Sequence, residues 1–212
     1  MKVYTKPVGF MGTNCYIAAD DNGHCVIVDP GAQPEKLIAF LEQEHLTPVY
    51  ILLTHGHYDH IGGVRGLLEQ YSGCKLAIGA GDADQLSDRR RSLALSPGMT
   101  DRDYLLTPDE LLKEGDVVKA GALSLKVLET PGHTKGGVVY LCEGTMFAGD
   151  TLFAGDIGRC DLPGGDYRTM LASLKKLDAL PGDYRVLPGH GPESTLEQER
   201  RHNQYMQMVR QG

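Results

Sequence analysis

The sequence predicts an α/β protein built as two strand-rich halves, each with helices outside. Three observations carry this. Short apolar runs rich in β-branched residues recur along the chain and are closed by Asp, Pro or Gly. Two longer segments, opening at Pro34 and at Asp166, place their apolar residues at helical spacing. The chemically loaded residues all fall directly after strand candidates, where loops are held by a rigid sheet.

In order, Asn14 to Ala19 and Cys25 to Val28 are two apolar runs separated by Asp20-Asp21-Asn22-Gly23, a turn signal that makes them a hairpin. Pro34 opens a helix on which Leu37, Ile38, Leu41 and His45 recur. Val49 to Leu53 is a continuous apolar run, suited to a strand buried on both faces. Val64 to Tyr71 reads as a helix, Lys75 to Ile78 as a strand and Asp82 to Asp88 as another helix. Ser92 to Asp109, with Pro97, Gly98 and Pro108, reads as a long loop. The second half repeats the strand pattern at Val117 to Lys119, Leu123 to Leu128, Val138 to Cys142 and Met146 to Phe147. A helix from Asp166 to Leu180 carries Met170, Leu171, Leu174 and Leu177 on one face. Arg185 to Leu187 is a last strand, and Ser194 with Glu197 forms a capping box for a final helix.

The chain has 212 residues, which at roughly 100–200 residues per domain predicts one domain over 1–212. A net charge of −7 speaks against a nucleic-acid partner, which needs a basic face, although Arg89, Arg90 and Arg91 stand together. No apolar run approaches the ~20 residues that span a bilayer, and Met1 to Pro7 lacks the apolar stretch of a secretory signal. A cytoplasmic protein with no membrane partner is expected. Cys15, Cys25, Cys74, Cys142 and Cys160 form no CxxC pair and are read as reduced thiols.

The chemistry centres on Thr54-His55-Gly56-His57-Tyr58-Asp59-His60-Ile61-Gly62-Gly63. In a loop, His55 and His57 can point to one place while Asp59 and His60 point to a neighbouring one. Imidazole and carboxylate together suit zinc, iron or manganese. Three further residues repeat the context, each beside a glycine after a strand: His133 in Pro131-Gly132-His133-Thr134, Asp150 in Ala148-Gly149-Asp150-Thr151, and His190 in Pro188-Gly189-His190-Gly191. His24, His45 and His202 match no such context and are read as structural.

H-x-H-x-D-H followed by G-H-T, G-D-T and G-H-G, in this order over residues 54–191, resembles the metallo-β-lactamase superfamily. The resemblance implies a four-layer αββα sandwich with metals at one edge. It implies two divalent ions per chain, zinc foremost and iron or manganese as alternatives. His55, His57 and His133 would hold the first, Asp59, His60 and His190 the second, and Asp150 would bridge them. Asp59 would also orient the attacking water. The T-H-G-H-Y-D-H-I-G-G and G-D-T-L-F segments, with Gly158 to Gly165, are similar to short bacterial glyoxalase II. This implies a small-molecule thioester substrate, S-D-lactoylglutathione, with Arg159 at a basic glutathione-binding position. The longer members of that family have tyrosine where this chain has Asp161 and again where it has Gly191-Pro192. A persulfide dioxygenase, with one iron on the counterparts of His55, His133 and Asp150, is the alternative. A metal-dependent nuclease is a weaker one.

Overall fold

The computed structural model describes residues 1–211. Strands β1 (Lys2–Val8), β2 (Thr13–Ala19), β3 (His24–Val28), β4 (Thr47–Leu53), β5 (Lys75–Gly79) and β6 (Glu110–Leu112) form one sheet in that order. β1, β2 and β3 pair antiparallel; β3, β4, β5 and β6 pair parallel. The second sheet runs through β7 (Val117–Ala120), β8 (Leu123–Glu129), β9 (Val138–Cys142) and β10 (Thr145–Gly149) antiparallel. After a ribbon of β11 (Leu152–Phe153) and β12 (Asp156–Ile157), it continues with β13 (Arg185–Pro188) parallel to β10 and β14 (Ser194–Thr195) antiparallel to β13.

Period-2 alternation assigns each strand residue a face. Ile17, Ile27, Ile51 and Leu76 turn outward onto helices α1 (Pro34–Gln43) and α3 (Val64–Gln70), packing against Leu37, Leu41, Val64 and Leu67. Tyr16, Val26, Leu52 and Ala77 turn inward and meet Leu125, Val127, Tyr140, Phe147 and Leu187 of the second sheet. That sheet's opposite face, with Val139, Leu141, Met146 and Val186, is covered by α5 (Tyr167–Asp178), α6 (Leu196–His202) and α7 (Gln204–Gln211). Three cores between four layers make the αββα sandwich. Phe147 is fully buried between the sheets, where truncation to alanine costs about 3–5 kcal/mol. Buried tyrosines bond across the same seam: Tyr140 Oη donates to Leu53 O (2.7 Å) and Tyr16 Oη to Pro188 O (2.7 Å).

Several expectations need correction. The edge strand β1 escapes the sequence because its side chains are mostly exposed or half-buried and it carries Pro7, which edge strands tolerate. α1 stops at Gln43, and His45 lies beyond it with φ +55°. Asp82 to Asp88 is no α-helix; a 3-10 segment spans Ala80–Leu86. The Ser92–Asp109 segment holds a short helix, α4 (Asp101–Tyr104), capped by Thr100, which accepts from Asp103 N. The final helix is capped by Thr195, not Ser194, which belongs to β14. That helix is also broken at Asn203, whose amide is held by Asp156 O (3.0 Å) and Glu199 Oε2 (2.9 Å). Among the described residues no helix is long and apolar enough to cross a membrane.

Candidate metal centre

Five strands end at one edge of the sandwich, and each delivers a polar residue there: β3 Asp29, β4 the His55–His60 loop with α2 (Tyr58–Ile61), β8 His133, β10 Asp150 and β13 His190. The two sheets are joined at this edge by backbone. Val138 N donates to Thr54 O (2.9 Å) and Asn14 N to Gly189 O (2.8 Å), while Gly189 N donates to Gly149 O (2.8 Å) within the second sheet. Two glycines permit the ligand-bearing loops to pack this closely within each half. A Cβ at Gly31 would lie 1.6 Å from Asp59 O, and one at Gly189 would lie 2.2 Å from Asp150 Oδ1.

The seven side chains expected to hold metal all come together, and they fall into two poles. His55, His57 and His133 bring their nitrogens within 4.8 Å of one another; so do the donor atoms of Asp59, His60 and His190. Asp150 stands between them, its Oδ1 3.5 Å from His60 Nε2 and its Oδ2 3.5 Å from His133 Nε2 and 3.7 Å from His190 Nε2.

The outer nitrogens of the rings are fixed by the protein. His133 Nδ1 donates to Arg159 O (2.7 Å), His60 Nδ1 to Asp29 Oδ2 (2.9 Å), and His55 Nδ1 meets Thr54 Oγ1 at 3.1 Å. This sets ring orientation and leaves the Nε2 atoms aimed inward. His55 Nε2, His57 Nε2, His60 Nε2 and Asp150 Oδ1 are buried with no hydrogen-bond partner. Buried polar atoms without partners are rare and costly; His60 Nε2 and Asp150 Oδ1 face each other at 3.5 Å, and His57 turns its Nδ1 to within 3.0 Å of His133 Nε2.

Electrostatics separates the poles. Burial, then the neighbouring imidazoles, hold His55 well below the ordinary histidine value and bring His57 down to about 3. These rings are neutral nitrogen donors at pH 7. His60 is opposite. Burial pushes it down, but Asp150, Asp29 and Asp59 outweigh this and raise it to about 10. Burial works against the Asp59 carboxylate too, yet His60 and His190 hold it well below the usual carboxylate range. So many carboxylates around one buried ring call for a cation. Clustered neutral imidazoles at one pole and excess negative charge at the other fit divalent metal ions.

Sequence reasoning missed the supports. Asp29 accepts from Thr54 N (2.8 Å), Thr54 Oγ1 (2.6 Å) and His60 Nδ1. Thr13 Oγ1 donates to Asp59 Oδ2 (3.2 Å). Asp82, fully buried, accepts from Thr134 Oγ1 (2.6 Å) and Gly136 N (2.7 Å) beside His133, while Gln85 Oε1 accepts from Gly56 N (2.7 Å) between His55 and His57. Asp29 carried a readable signal, since it follows a strand and precedes Pro30-Gly31 as the ligand candidates adjoin glycine. Arg159 faces the cleft, but its guanidinium is paired with Asp161, Nε to Oδ1 and Nη2 to Oδ2 both at 2.7 Å. The cleft over the poles has a volume of about 480 Å³ and is walled by Leu93, Phe153, Ile157 and Leu162.

Fold and site together define a metallohydrolase, and the chain belongs to the metallo-beta-lactamase superfamily, whose sequence profile it matches over residues 8–190. It is 34% identical to the hydroxyacylglutathione hydrolase GloC of Haemophilus influenzae over 97% of this chain and 98% of that one. It is 36% identical to the probable metallo-hydrolase YqgX of Bacillus subtilis over 97% and 98%. Among solved structures, the BLEG-1 B3 metallo-beta-lactamase superposes with a TM-score of 0.90 at 36% identity, covering 97% of this chain and 99% of that one. TTHA1623 in a di-iron-bound form superposes with 0.83 at 36% identity, over 95% and 99%.

Proposed function

We propose that the chain hydrolyses glutathione thioesters, S-D-lactoylglutathione among them, using two divalent ions, zinc foremost. His55, His57 and His133 would hold one ion and Asp59, His60 and His190 the other, with Asp150 standing between the two groups. The observation that carries this reading is that both poles and Arg159 face one cleft, so a reacting carbonyl and an anionic thiol arm fit together. The similarity to GloC supports the substrate class.

Hydrolysis breaks the C–S bond. Hydroxyl from water joins the acyl carbon, and the departing thiolate takes up a proton. Divalent ions bound at the poles supply Lewis acidity, lowering the pKa of water toward about 7 and polarising a carbonyl oxygen. The chain's residues do the rest. Asp59, kept ionised and held by Thr13, orients the attacking water. Asp29 and the Arg159 carbonyl lock the His60 and His133 rings. Leu93, Phe153, Ile157 and Leu162 keep bulk water from the reacting carbon. Arg159 receives a glutathione carboxylate, which must displace Asp161 from its guanidinium.

The test is hydrolysis of S-D-lactoylglutathione by zinc-loaded protein with His57→Ala as control. Turnover lost in a folded variant supports the reading; no turnover at full metal content removes the substrate. Likeness to BLEG-1 favours a second reading, β-lactam hydrolysis at the same poles, so a cephalosporin belongs in the same assay. Oxygen uptake with glutathione persulfide and one iron per chain would instead select the dioxygenase.

A further inference from the structure

We propose that a second lobe of the cleft, on the far side of Asp59, receives the acyl group and selects apolar chains longer than lactoyl. The proposal rests on the thioester reading. The lobe is a cavity of about 290 Å³ between the β1–β2 turn and the Ser92–Asp109 segment, with Met11, Ala32, Met99 and Tyr104 in its wall. It shares Met11, Tyr58 and Asp59 with the main cleft, so one molecule lying across the poles enters both spaces.

The direction of the substrate follows from the two ends. The Arg159 carbonyl holds His133, which places that arginine beside the His55, His57 and His133 pole. The lobe touches Asp59, at the other pole. A thioester sends two arms away from its carbonyl, and the charged thiol arm belongs with the arginine. The lobe has no charged side chain besides Asp59. An uncharged acyl arm therefore belongs there.

The walls ask for an apolar occupant. Phe10 is 103% exposed and Met11 51%, although both line the lobe. They sit between Gly9 (φ +69°) and Gly12 (φ +65°), whose left-handed backbone forms the turn that presents them. Lactoyl, short and hydroxylated, covers little of this surface, whereas a straight acyl chain covers it. Methionines on both sides adapt to such a chain without a fixed shape.

The experiment has two parts. The first is kcat/KM of zinc-loaded protein on S-lactoyl-, S-acetyl-, S-butyryl- and S-hexanoylglutathione. The value should climb by about fourfold per methylene, the gain for burying one such group, and the hexanoyl-to-acetyl ratio should fall about tenfold or more in Met99→Asp. A flat series, or a variant that lowers every substrate equally, overturns the lobe. The second part reads the lobe without turnover. In protein labelled at its methionine methyls and assigned with Met11→Leu and Met99→Leu, hexanoate should shift the Met11 and Met99 signals and acetate should not. If no thioester is cleaved but hexanoate moves both signals, the lobe stands and the thioester reading falls. Unmoved signals overturn the lobe, whatever the enzyme cleaves.

Discussion

Asp29 follows β3 and Asp150 follows β10, each strand the last of an antiparallel run and each with a parallel neighbour beyond, β4 in one sheet and β13 in the other. The two carboxylates thus hold matching places in the two sheets and reach the same edge. Asp29 is spent on the protein: its oxygens accept from two Thr54 groups and from His60. Asp150 keeps Oδ1 buried and unpartnered among histidines. Position on a strand brings a carboxylate to the centre. The donors already around it decide whether it supports a ligand or is one.

The comparison breaks or holds on four variants. Asp150→Asn has the largest expected effect: activity falls by more than the about 10–100-fold typical of an outer partner, while chelated protein melts no lower than wild type. Asp29→Asn should do the reverse in kind. Metal affinity, read by chelator competition, drops about 10–100-fold, and chelated protein loses about 2–3 kcal/mol in urea because buried donors lose their acceptor. If Asp29→Asn left stability intact, the two carboxylates would not differ as described.

Asp82 extends the rule to a buried carboxylate outside the two poles. Burial raises it to about 6 despite its hydrogen bonds. Its folded value lies above its unfolded one, so the folded state binds the extra proton between about pH 4 and pH 6, and stability falls as pH rises through that window. Asp82→Asn should remove this component, up to about 3 kcal/mol between the two ends, as seen by urea titrations of chelated protein at each pH. The smallest effect belongs to Asp161→Asn. Freeing an exposed arginine should lower KM for glutathione thioesters a few-fold with kcat unchanged, and raised salt should erase the difference.

The ligand candidates were legible because each stands beside glycine after an apolar run, and a metal centre needs several such residues at once. The supports were not. Asp29 and Asp82 are single carboxylates whose partners, His60 and Thr134, lie far along the chain, and local pattern carries no such pairing. The buried strands were readable from continuous apolar runs. β1 and β6 were not, being an edge strand of mixed exposure and a three-residue strand. The Ser194 cap failed for a local reason: Thr195, one residue on, offers the same hydroxyl and begins the helix instead.

Each pole takes two donors from the loop after β4 and one from the other sheet, His133 at one and His190 at the other. An ion at either pole would therefore tie the two sheets together at this edge. Unfolding must first release it, and a ligand at 100 times its dissociation constant adds about 2.7 kcal/mol to the folded state. Metal loading should therefore raise the chain's stability as well as supply its chemistry. A copy without metal should then open more readily and be cut first in limited proteolysis.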